Sequence, residues 1–370
     1  MTKGTADKES GRRSKESGKP SAATMRRSHT RDARLNHAAS TSGDGNGASR
    51  SNADDDAARV ESALPPVGPS PGAARRESPD DRPAPPLPPP RIGIHAPIAG
   101  GLQNALLKSS ELGCDAVQIF SRNPRGWQAK PLTDEEIERF RAVRAETGIT
   151  PVAIHCNYLV NLAAASQDIL EKSRASFREE VLRGISLGAD YLVVHPGSAR
   201  GSCESDAIRV CAESIRIACD GIDLGAFRIL IENTAGQGEC IGHRFEHLRE
   251  IMADCTELDL GVCFDTAHAF TAGYDLRDED GLAATITALE RNVGARNVRA
   301  VHFNDSKADY NSRVDRHWHI GRGHIGAEAL RRIARHPDLA QAAFLLETPQ
   351  DETGDDARNL SVLRAFIEDR

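Results

Sequence analysis

Residues 1–90 contain no Phe, Trp or Tyr. A segment without aromatics, rich in Ser, Gly, Ala, Arg, Asp and Pro, cannot bury enough apolar surface to offset its ordering entropy. It closes on the run Pro83-Ala-Pro-Pro-Leu-Pro-Pro-Pro90, an extended polyproline-type spacer. The expected organisation is a disordered tail over 1–90 and one folded body over 91–370. Nowhere does an apolar run approach the roughly 20 residues that span a bilayer, so no membrane partner is expected. C-x-x-C is missing, and no secretory apolar segment precedes the eight cysteines, all of which lie in the body. Reduced, mostly packed thiols in a cytosolic-type compartment follow. G-x-G-x-x-G is absent after the first apolar run, which disfavours a dinucleotide-binding open sheet.

Positive charge is also scarce where folding occurs. The tail holds 15 Lys+Arg against 12 Asp+Glu, a net of +3, so the body carries about −10 of the overall −7. An acidic body excludes a general nucleic-acid-coating protein. A nucleic-acid enzyme stays admissible, because bound cations offset acidic ligands and binding needs only a local basic rim. The basic start, Met1 to Arg34, leaves targeting or loose nucleic-acid contact open, although Asp7, Glu9, Glu16 and Asp32 count against a targeting peptide. Met25 is an alternative start.

Eight short apolar runs are present: Arg91–His95, Ala116–Phe120, Pro151–His155, Tyr191–His195, Arg228–Glu232, Leu260–Asp265, Val298–His302 and Ala342–Glu347. Between them, helical periodicity marks Gly101–Leu112, Thr133–Thr147, Ile169–Leu187, Ala207–Ile222, Phe245–Ala253, Gly281–Val293 and Ala327–Ala334. Alternating strands and helices predict a parallel sheet covered on both faces. Eight units in a body of this length predict an α/β fold closed as a (β/α)8 barrel.

Most of these runs end on a charged or imidazole side chain. The ends are His95, His155, His195, Glu232, Asp265 with His268 three residues on, His302 and Glu347. In a barrel they would crowd one rim, and polar groups bunched there need a shared partner. The loop after the seventh run adds Asp315-Arg-His317, whose first and third residues point the same way if the loop is extended. His319 and His324, on the same loop, read as supporting or surface residues. Setting His95 aside leaves nine donors: His155, His195, Glu232, Asp265, His268, His302, Asp315, His317 and Glu347. One zinc site takes about three or four protein ligands, so nine imply two or three ions and a bridging carboxylate. Imidazole and carboxylate without thiolate suit Zn2+, with Mn2+ as the rival. Clustered divalent ions suit phosphodiester hydrolysis, with Glu232 as the bridge that positions the nucleophile.

The motifs I-E-N-T-A-G-Q-G, C-F-D-T-A-H-A-F-T-A-G-Y-D, V-H-F-N-D-S-K, S-R-V-D-R-H and L-E-T-P together resemble the endonuclease IV family of apurinic/apyrimidinic endonucleases. The likeness covers 91–370 and none of 1–90. It implies a TIM barrel with a trinuclear zinc centre. His155, His195 and Glu232 would hold one ion. Glu232, Asp265, His302 and Glu347 would hold the second, and His268, Asp315 and His317 the third. The implied activity is cleavage of duplex DNA 5′ to an abasic site, leaving a 3′-hydroxyl and a 5′-deoxyribose phosphate, with removal of blocked 3′ ends in base-excision repair. A bacterial-type cytoplasmic location beside the nucleoid goes with it, and nothing requires more than a monomer.

By the same resemblance, Ser121-Arg-Asn-Pro-Arg-Gly-Trp127 matches a loop that enters the minor groove at the lesion. Arg125 would be the inserted side chain and Tyr158 a second contact. Read structurally, Trp127 is a packed anchor and Arg125 a surface charge. Gly126 departs from the longer polar residue expected there. His95 reads as a phosphate contact or as support for a ligand, and Lys307 and Arg313 as phosphate contacts or exposed ion-pair partners. Two other classes compete. A sugar isomerase on a related barrel would use Glu232, Asp265, His302 and Glu347 but not the other five donors. A non-catalytic damage-binding protein would show a degenerate donor set.

Overall fold

The computed structural model describes residues 89–368; the tail expected over 1–90 lies almost wholly outside the described residues. Eight parallel strands close into a barrel: β1 (Ile92–His95), β2 (Ala116–Phe120), β3 (Val152–His155), β4 (Tyr191–Val194), β5 (Arg228–Glu232), β6 (Gly261–Asp265), β7 (Val298–His302) and β10 (Ala343–Leu346). Neighbours pair in chain order, and β10 closes the ring between β7 and β1. Two further short strands, β8 (Asp305–Ser306) and β9 (His317–Trp318), form an antiparallel pair in the loop after β7.

Period-two alternation explains the layering. Outward residues such as Ile94, Val117, Ile154, Ile231, Phe264, Val301 and Phe344 belong to the large apolar cluster under the helices. Inward residues form a separate inner cluster of mostly small side chains: Ala116, Ala153, Val193, Leu230, Cys263, Ala300, Ala343 and Leu345. Small residues fit because eight strands leave an interior only wide enough for side chains to fill. At Gly93 even a methyl is too large, since an added Cβ would lie 2.0 Å from the Ala116 carbonyl oxygen.

The surrounding helices are α1 (Gln103–Glu111), α2 (Asp134–Thr147), α3 (Gln167–Leu187), α4 (Glu204–Cys219), α5 (Phe245–Ala253), α6 (Thr266–Ala272), α7 (Glu279–Val293), α8 (Ala327–Ala334) and α9 (Asp355–Glu368). Local signals set several ends. Thr133 and Glu136 make a reciprocal capping box at the start of α2, and left-handed Gly148 ends it. Helix α4 starts and stops three residues before the expected Ala207–Ile222, with Cys203 as its cap. Helices α6 and α9 have no counterpart among the expected elements. Six of the eight cysteines are buried, Cys240 is half-buried and Cys203 is exposed. Among the described residues no helix is long and apolar enough to cross a membrane.

Candidate metal centre

The inner layer determines what lies above it. Two residues after the last inward apolar position of each strand, the next inward side chain is polar: His95 after Gly93, Gln118 after Ala116, His155 after Ala153, His195 after Val193, Glu232 after Leu230, Asp265 after Cys263, His302 after Ala300 and Glu347 after Leu345. Every barrel strand or its immediate C-terminal continuation therefore supplies one polar group to the same mouth. They line or underlie a cavity of about 500 Å³ whose walls include His95, Phe120, His155, Tyr158, His195 and Glu347.

Glu232 sits at the centre, fully buried. Its Oε2 is 3.3 Å from His155 Nε2 and 3.1 Å from His195 Nε2. Its Oε1 is 2.9 Å from His302 Nδ1, which in turn lies 3.2 Å from Glu347 Oε2 and 3.9 Å from Asp265 Oδ2. His268 Nε2 is 3.3 Å from Asp315 Oδ1 and 3.4 Å from His317 Nε2. The ligand atoms of four groups at the mouth fall within 4.8 Å of one another: His155, His195 and Glu232; Glu232, Asp265, His302 and Glu347; Asp265, His268 and His317; and Glu232, Cys263 and His302, where burial pushes the Cys263 thiol up to about 12. Asp315, partly exposed on the loop, reaches both His268 and His317, the latter at 3.5 Å. All nine expected donors thus meet at one mouth.

Local structure aims them. Asp265 caps α6, and its Oδ1 accepts the His268 backbone N–H at 2.6 Å, leaving Oδ2 turned to the cluster. The helix explains how residues three apart reach one site. The β8–β9 ladder, pairing Ser306 with His317, folds the loop back over the mouth. Buried Asp305 anchors that loop by accepting N–H groups from Ser306, Gly323 and Ile325.

Outer ring nitrogens show whether a cation fits. His155 Nδ1–H donates to the Cys156 carbonyl at 2.7 Å and His268 Nδ1–H to the Asn233 carbonyl at 2.9 Å. His317 Nδ1–H faces the Glu347 carbonyl at 3.3 Å, and His302 Nε2–H donates to Gln118 Oε1 at 2.9 Å. Each neutral ring is left with its lone pair turned toward carboxylate oxygens. Lone pair facing lone pair is repulsive unless something positive lies between, and a ligating imidazole characteristically has its other N–H tied in this way. Among the described residues every ion-pair partner of Glu232, Asp265 and Glu347 is likewise a histidine, and none supplies a fixed cation.

Protonation tendencies agree. Burial disfavours charge on His268 and His302, but neighbouring acidic groups outweigh it and raise both well above the ordinary imidazole value. Burial also opposes ionisation of Glu232 and Glu347, yet the facing imidazoles hold both well below the carboxylate range. The donors fit divalent cations, and protons are the competitors.

The other expected residues are placed as follows. His95 Nδ1 is 2.9 Å from Glu347 Oε1, so it supports that carboxylate directly. Gln118, whose amide is not a ligand type, joins the cluster by donating to Glu347 Oε1 at 2.7 Å; its inward register in A-V-Q-I-F was the available signal. Arg125 is exposed, Trp127 half-buried and Tyr158 61% exposed at the cavity edge. Lys307 Nζ lies 3.9 Å from the Trp318 ring centroid, and Arg313 is exposed. His319 meets Asn359, and His324 pairs with Asp309 at the surface.

Residues 106–367 match the family model described as xylose isomerase-like TIM barrel. The chain is 45% identical over 279 residues to the probable endonuclease 4 of Solibacter usitatus, covering 75% of this chain and 96% of that protein. It is 44% identical over 281 residues to the probable endonuclease 4 of Chloroflexus aggregans, covering 75% and 98%. The chain belongs to the endonuclease IV family. Among solved structures, endonuclease IV from Thermus thermophilus superposes with a TM-score of 0.68 at 42% identity, over 76% of this chain and all of that one. A D-tagatose 3-epimerase-like protein shares the fold alone, with a TM-score of 0.57 at 20% identity. As a member of the endonuclease IV family the chain is a nuclease, a hydrolase.

Proposed function

We propose that this protein is a DNA-repair endonuclease that hydrolyses the phosphodiester 5′ to an abasic site in duplex DNA. The products are a 3′-hydroxyl and a 5′-deoxyribose phosphate, and blocked 3′ ends are trimmed at the same site. One observation carries the reading: four imidazoles with tethered outer N–H groups turn their lone pairs toward a set of carboxylates. His155, His195 and Glu232 would hold one zinc, Glu232, Asp265, His302 and Glu347 a second, and His268, Asp315 and His317 a third. Divalent ions bound there supply Lewis acidity, which makes water nucleophilic at neutral pH and neutralises phosphate charge. The two oxygens of Glu232 face different histidines, so this one carboxylate would serve both ion groups and would orient the attacking water. The Cys156 and Asn233 carbonyls and the Gln118 amide hold the imidazoles in the required tautomers. A single-ion sugar isomerase has no use for His155, His195, His268, Asp315 and His317, which supports the nuclease reading.

Arg125 and Tyr158 are the assigned minor-groove contacts, with Trp127 holding the loop and His95 steadying Glu347. An abasic nucleotide costs less to unstack than an intact one, so a modest loop suffices to select it. At Gly126 an added Cβ would meet nothing closer than 3.7 Å and the backbone is not left-handed, so glycine is a choice of side chain here and not of geometry. Gly126→Gln should fit and tighten abasic-duplex binding while leaving kcat unchanged. Arg125→Ala should raise KM for an abasic duplex by about tenfold with little change in kcat; equal KM values would remove Arg125 from the interface.

The deciding experiment is an abasic-oligonucleotide cleavage assay run beside metal analysis of the purified protein. Cleavage that is abolished by chelation, with about three ions per chain, supports the proposal. One ion per chain with aldose–ketose turnover and no DNA cleavage overturns it.

A further inference from the structure

The loop carrying Arg125 and the loop carrying Tyr158 share a buried charged support. Arg122, 5% exposed, lies three residues before Arg125. Its Nε donates to Glu180 Oε1 on α3 at 2.8 Å, and one terminal nitrogen donates to Glu179 at 2.8 Å and to the Trp127 carbonyl at 3.4 Å. The other reaches the Ser176 carbonyl and hydroxyl. Glu180, 1% exposed, also accepts from Ser121 Oγ at 2.6 Å and from Asn157 Nδ2 at 3.4 Å. Arg183 completes the cluster, donating to Ser121 Oγ and to the Lys130 carbonyl, each at 2.9 Å. The first loop is thus held at Ser121, Arg122, Trp127 and Lys130. The second is held at Asn157, one residue before Tyr158, and the Tyr158 backbone N–H donates to the Pro124 carbonyl at 3.0 Å.

A charge buried this deeply is costly to desolvate, and well-packed apolar residues could fill the same space at least as stably. What an apolar plug could not do is bind two loops to one helix through directional bonds. We propose that Arg122 and Glu180 are positioning residues that lock the Arg125 and Tyr158 loops into one rigid unit, so that substrate affinity depends on a cluster that touches neither DNA nor metal. The inference rests on the reading that these loops meet the duplex.

The test uses the full-length, metal-loaded protein. Glu180→Gln keeps the shape but removes the charge that answers Arg122 and Arg183, and Arg122→Lys keeps the charge but loses the fork. Both should retain metal content, with KM for an abasic duplex raised about tenfold, kcat changed less than about threefold, and Arg122→Lys the milder. Backbone amide exchange over 123–128 and 157–160 should quicken in both loops together. If Glu180→Gln fails to fold, Asn157→Ala serves instead: it keeps the Arg122–Glu180 ion pair, removes the bonds of Asn157 to Ser176, Glu180 and the Leu159 N–H, and should show a smaller KM rise. Folded variants with unchanged KM and unchanged exchange, or with kcat alone reduced, overturn the inference. A wild-type protein that does not cleave abasic DNA overturns the functional reading instead, and the exchange measurement still decides whether the cluster locks the loops.

Discussion

Glu204, His243 and His247 form a second knot of carboxylate and imidazole, between the start of α4 and α5, with ligand atoms as close together as those at the barrel mouth. His243 even resembles a mouth histidine, with Nδ1–H donated to the Cys240 carbonyl at 2.9 Å. The resemblance stops at His247. Its Nδ1 faces the Gly242 N–H at 3.0 Å, and its Nε2, 3.3 Å from Glu204 Oε2, accepts from Arg244 Nε–H at 2.8 Å. Arg244 donates to the same Glu204 oxygen at 2.7 Å. A guanidinium already answers the acid, and the same guanidinium occupies the central ring's Nε2, where an ion would have to bind. Residue type and proximity are shared by the two places; the source of positive charge is not.

That contrast can be broken most forcefully by paired substitutions. Glu232→Gln should lower abasic-site cleavage by about a thousandfold or more and reduce bound metal. Glu204→Gln should leave both within about twofold. Metal loss from the second variant would erase the distinction.

A subtler probe is the pH dependence of the metal-stripped protein. His268 and His302 have folded-state pKa values raised above the unfolded imidazole. The stability they contribute is complete below about pH 6.5 and is lost as pH rises through their folded values. Glu232 and Glu347 are depressed, so their contribution disappears only as pH falls through those low values. The stripped protein should therefore weaken in denaturant melts as pH rises above about 6.5, whereas the loaded protein should not, because cations stand where protons stood. A stripped protein that strengthens with alkali would contradict this.

The smallest effect belongs to the second knot. Burial, only partly offset by Glu204, pushes His247 down to about 4. The unfolded chain takes up that proton near pH 6.5, so folding stability should fall as pH drops from about 6.5 toward 4, by at most on the order of 3 kcal/mol. His247→Gln should flatten that limb of the curve. An unchanged slope would place the acid sensitivity elsewhere.

Much of the mouth could be read before any coordinates, because period-two alternation turns a strand ending in His or Glu into a statement about direction. Asp265, His302 and Glu347 needed nothing more. Helix α6 escaped because all but its last residue are buried, and a seven-residue helix buried on every side, with Thr266, His268 and Thr271 among its apolar residues, has no amphipathic stripe. Helix α9 begins Asp355-Asp356 among charged residues that resemble a surface loop. Gln118 was missed because an amide is not a ligand type, although its register matched its neighbours. Arg122 is the hardest case. Beside Asn123 and Pro124 it looks like an ordinary surface cation, and only the approach of α3 shows it buried.

The order of the strands along the chain has a consequence for biosynthesis. Glu232 lies on the fifth strand and Glu347 just beyond the last, 115 positions later. A polypeptide leaving the ribosome has released His155, His195 and Glu232 while the four-donor group still lacks Asp265, His302 and Glu347. On the proposed assignment, the donors of one ion group would all be present in a half-made ring, and those of the second only once the ring closes.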